Sequence, residues 1–132
     1  MIGLDTNILV RYLAQDDPVE SLLADKLIDS LSSEEPGFIS TAVAVELVRV
    51  MQRFYSRTKQ QTIAFLEGFL RSEELVIENA NVVWQAVHAY SRASADFADC
   101  LIERSAHDAH CTHTVTFDRK AAKTAGMVLL DS

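Results

Sequence analysis

Acidic residues stand at five places in this sequence where their carboxylates could act together. They are Asp5, Glu46, Asp96, Asp99 and Asp118. Carboxylates that converge on one site repel one another unless a hard divalent cation joins them, and an all-oxygen ligand set suits Mg²⁺ or Mn²⁺. One or two such ions can activate water and stabilise an in-line displacement at phosphorus. The chemistry that these residues could perform is therefore metal-assisted hydrolysis of a phosphate ester.

Each acid also has an ordinary structural explanation. Asp5, Asp96 and Asp118 are good N-cap residues for the helices predicted to follow them, and Asp99 would be stabilised by the positive end of a helix dipole. The helical period places Glu46 on the apolar side of its helix, so we expect a buried carboxylate that needs a salt bridge, a cation or a polar cavity. The chemical interpretation depends on the five acids as a set.

A second group of possible ligands, which could suit zinc, lies near the C-terminus. It consists of His107, His110, Cys111 and His113. We expect their side chains to diverge, because the first two belong to the end of a predicted helix and the last two lead into a strand. A zinc site is therefore not expected here.

The pattern of apolar residues and helix caps predicts the elements that position the acids. Short strands are expected at residues 2–4, 38–39, 75–77, 112–117 and 127–130, and helices are expected after caps at Asp5, Asp17, Ser40, Asn79 or Asn81, Asp96 and Asp118. This order is typical of an α/β fold with a parallel sheet and helices on both faces. Ligands of such sheets bind beyond the carboxyl ends of the strands, where Asp5 and Asp118 are expected to lie.

The composition is typical of one compact domain over residues 1–132. Hydrophobic residues make up 48% of the chain, and no linker, repeat or low-complexity tract divides it. The first residues lack the basic stretch typical of a signal peptide, so we expect none, and no apolar run is near the length of a membrane span. Two cysteines without a CxxC motif suit a reducing cytosol, so we expect a cytoplasmic protein.

The net charge of -7 argues against nucleic-acid binding through a generally basic surface. Four of the acids account for much of it, because without them the charge is -3. Arg49, Arg53 and Arg57 follow Glu46 at intervals of four residues and could bind phosphates, although a solvated helix face is an equally good explanation. Arg11, Arg119, Lys120 and Lys123 follow the other acidic motifs and could also bind phosphates.

Two aromatic residues, Phe54 and Tyr55, lie at the end of this basic stripe. Their rings could stack on nucleobases or close a dimer interface. Packing between helices is the more ordinary role, and we expect it here.

Four segments together resemble the acidic motifs of a known family. The segments are residues 2–10 (IGLDTNILV), 45–47 (VEL), 96–102 (DFADCLI) and 116–118 (TFD). In order and spacing they resemble PIN-domain nucleases, and most of all the VapC-type toxins of prokaryotic toxin–antitoxin systems. The resemblance extends over essentially the whole chain.

The resemblance implies a PIN-like, Rossmann-like fold and a Mg²⁺- or Mn²⁺-dependent ribonuclease. The catalytic, metal-ligating acids would be Asp5, Glu46, Asp99 and Asp118, while Asp96 could support the metal or the structure around it. Polar side chains near the metal would be Thr6, Asn7 and Thr116. The resemblance further implies an RNA substrate, a homodimer and a small VapB-type antitoxin that inserts into the active-site groove. Arg49 and Arg53 are our candidates for binding the RNA.

Two other classes of protein remain open at this point. Some α/β phosphatases place a nucleophilic aspartate after the first strand, but they generally carry a second aspartate where this chain has Asn7. A PIN-fold module that binds RNA or a protein without catalysis is the other alternative. The full set of acids argues against it, because a decayed site should have lost at least one of them.

Overall fold

A computed structural model describes residues 1–131, which form seven helices and five very short strands. The elements are β1 (Ile2–Gly3), α1 (Thr6–Ala14), α2 (Pro18–Ser30), β2 (Gly37–Ile39), α3 (Thr41–Tyr55), α4 (Lys59–Arg71), β3 (Leu75–Ile77), α5 (Ala80–Arg92), α6 (Phe97–Asp108), β4 (Val115–Thr116), α7 (Arg119–Thr124) and β5 (Val128–Leu129). The chain divides into two compact units, one comprising Met1–Glu78 and the other beginning at Asn79.

The first unit is built on a three-stranded parallel sheet in the order β1-β2-β3. Gly37 in the central strand is tightly enclosed, since a Cβ there would lie 2.8 Å from Leu4 Cδ1 and 2.9 Å from Leu31 Cδ1. The core against which the helices pack includes Leu9, Leu47 and Met51, all fully buried. Helix α1 packs against both α2 and α3.

Local hydrogen bonds fix the helix starts in this unit. Asp5 Oδ1 accepts from the backbone N–H of Thr6, and Asp17 Oδ1 accepts from those of Val19 and Glu20. Ser40 caps α3 in the same way. These caps were predicted from the sequence, because a short polar side chain before an apolar periodic segment satisfies the first N–H groups of a helix.

The second unit packs α5 against α6. Tyr90 and Phe97 meet edge-to-face in its core, with ring centroids 5.9 Å apart, beside the buried side chains of Val83 and Leu101. The parallel pair β4 and β5 has Val115 opposite Val128. Asp118 caps the short helix α7 that connects the two strands.

The predicted α/β fold with parallel strands and helices is confirmed, with three differences. The strands expected at residues 112–117 and 127–130 contain only two residues each, and the β-structure forms a three-stranded and a two-stranded sheet. Asn79 occupies the predicted N-cap position of α5, but its backbone takes a left-handed conformation with φ 52° and its side chain makes no capping bond. Asp96 occupies the N-cap position of α6 but also makes no capping bond.

Across residues 1–131, the helices are all too short or too polar to span a lipid bilayer.

Candidate active site

Asp5 and Glu46 line one pocket of the first unit. The pocket has a volume of about 440 Å³, and its other walls come from Thr6, Asn7, Val10, Arg11, Val50, Phe54 and Tyr55. Asp5 lies at the junction of β1 and α1, and Glu46 lies one turn into α3, so the packing of α1 on α3 brings the two acids to one cavity. Thr6 is buried, whereas Asn7 is exposed. This part of the predicted site is therefore a concave surface carrying two carboxylates.

Glu46 is exposed, so the expectation of a buried carboxylate is wrong. The fully covered stripe of α3 runs through Ala44, Leu47 and Met51, and Glu46 lies beside that stripe. The reason is that three to four residues in every two turns can face the core, so a residue at the margin of the apolar arc faces solvent or a cavity. Glu46 instead lines the open pocket that it shares with Asp5, whose walls are partly apolar.

The guanidinium of Arg11 lies in the wall of the same pocket but is held by two carboxylates. Its Nε donates to Glu20 at 2.8 Å and its Nη1 donates to Asp16 at 3.1 Å. The hydrogen bond to Glu20 is the main reason that the pKa of Arg11 is raised. Arg11 is therefore neutralised by its own protein, unlike the phosphate-binding cation that the sequence suggested.

Tyr55 completes this network at the end of α3. Its hydroxyl donates to Asp16 Oδ2 at 2.7 Å and accepts from Arg11 Nη1 at 3.3 Å. The hydrogen bond between Tyr55 and Asp16 raises the pKa of the Tyr55 phenol and lowers the pKa of the Asp16 carboxyl. No sequence pattern predicts this role, since the partners are 39 and 44 residues away from Tyr55 along the chain.

Three acids influence one another in the second unit. Asp99, half-buried in the first turn of α6, has a raised pKa, mainly because of burial and then because of the charges of Asp96 and Asp118. Lys120 opposes the shift, and its Nζ lies 3.4 Å from Asp96 Oδ1. A carboxylate that is partly desolvated and faces two like charges lies where a cation would be attracted.

The third acid of this group, Asp118, has a structural role as well. Its Oδ1 accepts from the backbone N–H groups of Lys120 at 2.8 Å and Ala121 at 3.1 Å. Thr116, predicted to lie near the site, accepts from the Asp118 backbone N–H through its Oγ1 at 3.0 Å. The N-cap and this short turn fix the orientation of the Asp118 carboxylate.

Within residues 1–131, no group of three or more His, Cys, Asp or Glu side chains is arranged so that it could hold a metal ion. This includes the histidine and cysteine group near the C-terminus. The structure thus brings Asp5 and Glu46 to one pocket, and Asp96, Asp99 and Asp118 into electrostatic interaction. Each of the two groups offers only carboxylate oxygens as donors, which are the ligands that Mg²⁺ and Mn²⁺ prefer.

The basic stripe and the two aromatic residues at its end differ in their exposure to solvent. Arg49 and Arg53 are exposed on α3, and neither forms an ion pair with any carboxylate of the described residues. Phe54 is 75% exposed, so the expectation that it packs between helices is wrong. Tyr55 is partly buried.

Comparison with known proteins gives two findings. The family model described as PIN domain matches residues 2–127. The chain is also 26% identical over 122 residues to a protein of Aquifex aeolicus (strain VF5) named VapC ribonuclease, and the alignment covers 91% of this chain and 89% of that protein.

Proposed function

The chain belongs to the PIN-domain family, and on that basis we propose that it is a metal-dependent ribonuclease and the toxin of a VapBC-type toxin–antitoxin pair. Residues 1–132 would form a single PIN domain. The similarity to the protein named VapC ribonuclease supports the ribonuclease activity. Its RNA substrate, a cognate VapB-type antitoxin and a homodimeric, cytoplasmic state are parts of the same proposal.

The observation that carries the proposal is the environment of Asp99. Burial and two neighbouring carboxylates raise its pKa, and Lys120 is the cation that opposes them. An arrangement of this kind is unfavourable for the protein alone and favourable once a divalent cation is present. Such perturbed groups are concentrated at functional sites, although ion-pair networks also produce them.

We propose that Asp5, Glu46, Asp99 and Asp118 act in one reaction as metal-holding acids, with Asp5 and Asp99 as the principal ligands. When bound, Mg²⁺ or Mn²⁺ supplies a Lewis acid for hydrolysis of an RNA phosphodiester. The backbone N–H groups that Asp5 and Asp118 cap hold these two carboxylates in fixed orientations. Asp96, which makes no capping bond and is paired with Lys120, would support the metal or the structure around it.

Substrate binding would use the exposed guanidinium groups of Arg49 and Arg53. These two side chains lie on the helix that carries Glu46 and are not held by carboxylates of the described chain. Their contribution should be electrostatic and independent of sequence, so it should weaken as the salt concentration rises. The antitoxin would compete with RNA by inserting into the active-site groove.

The test is cleavage of total cellular RNA by antitoxin-free protein in Mg²⁺, in Mn²⁺ and in chelator. We expect metal-dependent cutting, and a loss of about 100-fold or more in Asp99→Asn, because one charge-stabilising group commonly contributes that much. Asp108→Asn is the matched control, since it removes an exposed carboxylate from the other end of the same helix.

Equal activity of Asp99→Asn and the unaltered chain would contradict the assignment of the acids. A folded protein that cuts no RNA in either metal would contradict the enzyme itself. It would favour the non-catalytic binding module instead.

A further inference from the structure

Phe54 is an exposed aromatic ring in the wall of the pocket that holds Asp5 and Glu46. Its side chain is 75% exposed although it belongs to the same cavity as the two carboxylates. A single exposed apolar residue is common on protein surfaces and needs no explanation by itself. What requires explanation here is its position inside a concave, acid-bearing site.

The position of Phe54 relative to Glu46 follows from helix geometry. Glu46, Val50 and Phe54 are spaced four residues apart on α3 and all line the pocket, so they share one face of the helix. Eight residues of helix correspond to about 12 Å along the axis. A ligand that reaches Glu46 and also contacts Phe54 must therefore be extended, and its part at Phe54 lies well away from its part at Glu46.

The segment that carries Phe54 is firmly held. The next residue, Tyr55, is bonded through its hydroxyl to Asp16 and Arg11. The helix ends at Ser56 in a left-handed conformation, and the backbone N–H of Arg57 donates to the Met51 carbonyl at 3.1 Å. The backbone that carries the ring is therefore ordered before a flat ligand stacks on it, so binding does not have to order this segment.

Charge selects the class of ligand that fits beside the ring. Arg53 precedes Phe54 and Arg49 lies one turn earlier, both exposed and without ion pairs among the described carboxylates. An extended ligand with alternating negative charges and flat aromatic groups matches exposed cations and an exposed ring on one helix. Single-stranded nucleic acid has this composition, and its bases are free to stack on aromatic side chains, whereas the bases of a duplex are not.

We propose that Phe54 is a stacking platform for one base of a single-stranded RNA substrate, located beyond the phosphodiester that is cut. This inference rests on the proposed ribonuclease function and adds a determinant of how its substrate is held. Stacking uses the face that every base has, so Phe54 contributes affinity and register along the strand more than base identity.

The experiment measures binding of end-labelled single-stranded oligoribonucleotides in chelator, where cleavage does not interfere. Phe54→Ala should weaken binding about 5- to 150-fold, and Phe54→Trp should bind like the unaltered chain, because base stacking on an aromatic ring is of this size. Leu23→Ala is the matched control, since it removes a side chain that is 61% exposed on α2 and does not line this pocket. Thermal melting verifies that each variant is folded.

A series of oligonucleotides with one abasic site at successive positions makes the test specific. One abasic position should weaken binding of the unaltered chain by the same factor as Phe54→Ala and should have no further effect on the variant, as expected of two directly coupled groups. Equal binding by Phe54→Ala and the unaltered chain overturns the proposal. So does a sedimentation experiment in which Phe54→Ala changes only self-association, because the ring would then contact a second copy.

The two proposals fail in different ways. An unaltered chain that shows the abasic pattern but cuts no RNA in Mg²⁺ or Mn²⁺ contradicts the ribonuclease and supports the platform. Metal-dependent cutting, combined with unchanged RNA binding by Phe54→Ala, supports the ribonuclease and overturns the platform.

Discussion

Asp99→Asn should stabilise the metal-free protein while it removes the proposed activity. In the folded chain the Asp99 carboxylate is partly desolvated and faces the charges of Asp96 and Asp118, which together raise its pKa. Asp96 and Asp99 are three residues apart at the start of α6, and a like-charged pair at this spacing costs about 0.2–0.5 kcal/mol. If the charge of Asp118 at the start of α7 costs a similar amount, relief of both should contribute ~0.5–1 kcal/mol. For a chain of this size that corresponds to about 2–4 °C in the melting temperature.

The pH dependence follows from the direction of the same shift. Because the folded-state pKa of Asp99 lies above its ordinary value of 3.8, the folded state binds a proton more readily than the unfolded state. The cost of the charged form is fully present above the folded-state pKa and disappears as the pH falls toward the ordinary value. The advantage of Asp99→Asn should therefore be largest near about pH 7 and vanish near about pH 4.

The assay is thermal or urea unfolding in chelator and again with Mg²⁺. Added Mg²⁺ should stabilise the unaltered chain by about 2.7 kcal/mol at one hundred times its dissociation constant, and should stabilise Asp99→Asn much less. Glu73→Gln is a control of equal charge change in an exposed turn, where the effect should stay within about 0.5 kcal/mol. If Asp99→Asn destabilised the metal-free chain, or responded to Mg²⁺ like the unaltered chain, the reasoning would be refuted.

Three further results are expected. Asp118→Ala should lose about 1 kcal/mol of stability, because the cap of α7 is removed. Asp118→Asn should keep the cap and lose only RNA cleavage. Equal melting temperatures for the two variants would contradict this prediction. The hydrogen bond from the Tyr55 hydroxyl lowers the pKa of Asp16, so the ionised Asp16 carboxylate adds to the free energy of unfolding above its ordinary pKa of 3.8, and this stability is lost at lower pH. Stability should therefore fall more steeply with acid in the unaltered chain than in Asp16→Asn. Gly37→Ala should cost ~1–3 kcal/mol in urea unfolding by overpacking the central strand, and a smaller cost would mean that the facing leucine side chains adjust.

The helix caps show which part of the fold can be predicted from the sequence. Asp17 and Ser40 cap helices as expected because a cap depends on a polar side chain and the N–H groups two or three residues later. Asn79 shows the limit of this rule. An asparagine also tolerates the left-handed conformation, so the type of residue at a helix start does not decide whether its side chain caps the helix.

The positions of the candidate acids in the fold were predictable from the sequence, but their environments were not. The strand-to-helix junctions placed Asp5 and Asp118 correctly, since both follow an apolar strand and cap the next helix. Whether Glu46 and Phe54 are covered depends on which other elements pack beside α3, and the helical period contains no information about that. The ion pair between Arg11 and Glu20 could not be predicted either, because it depends on how the loop between α1 and α2 brings the two side chains together.

The brevity of the strands affects how this protein resists aggregation. Each strand between residues 1 and 131 contains at most three residues, so it can present only a few backbone N–H and C=O groups to a foreign chain. Short strands are one of the means by which proteins prevent edge-to-edge association and the growth of cross-β fibrils. We therefore expect that the native sheets offer little backbone for edge-to-edge pairing with another chain.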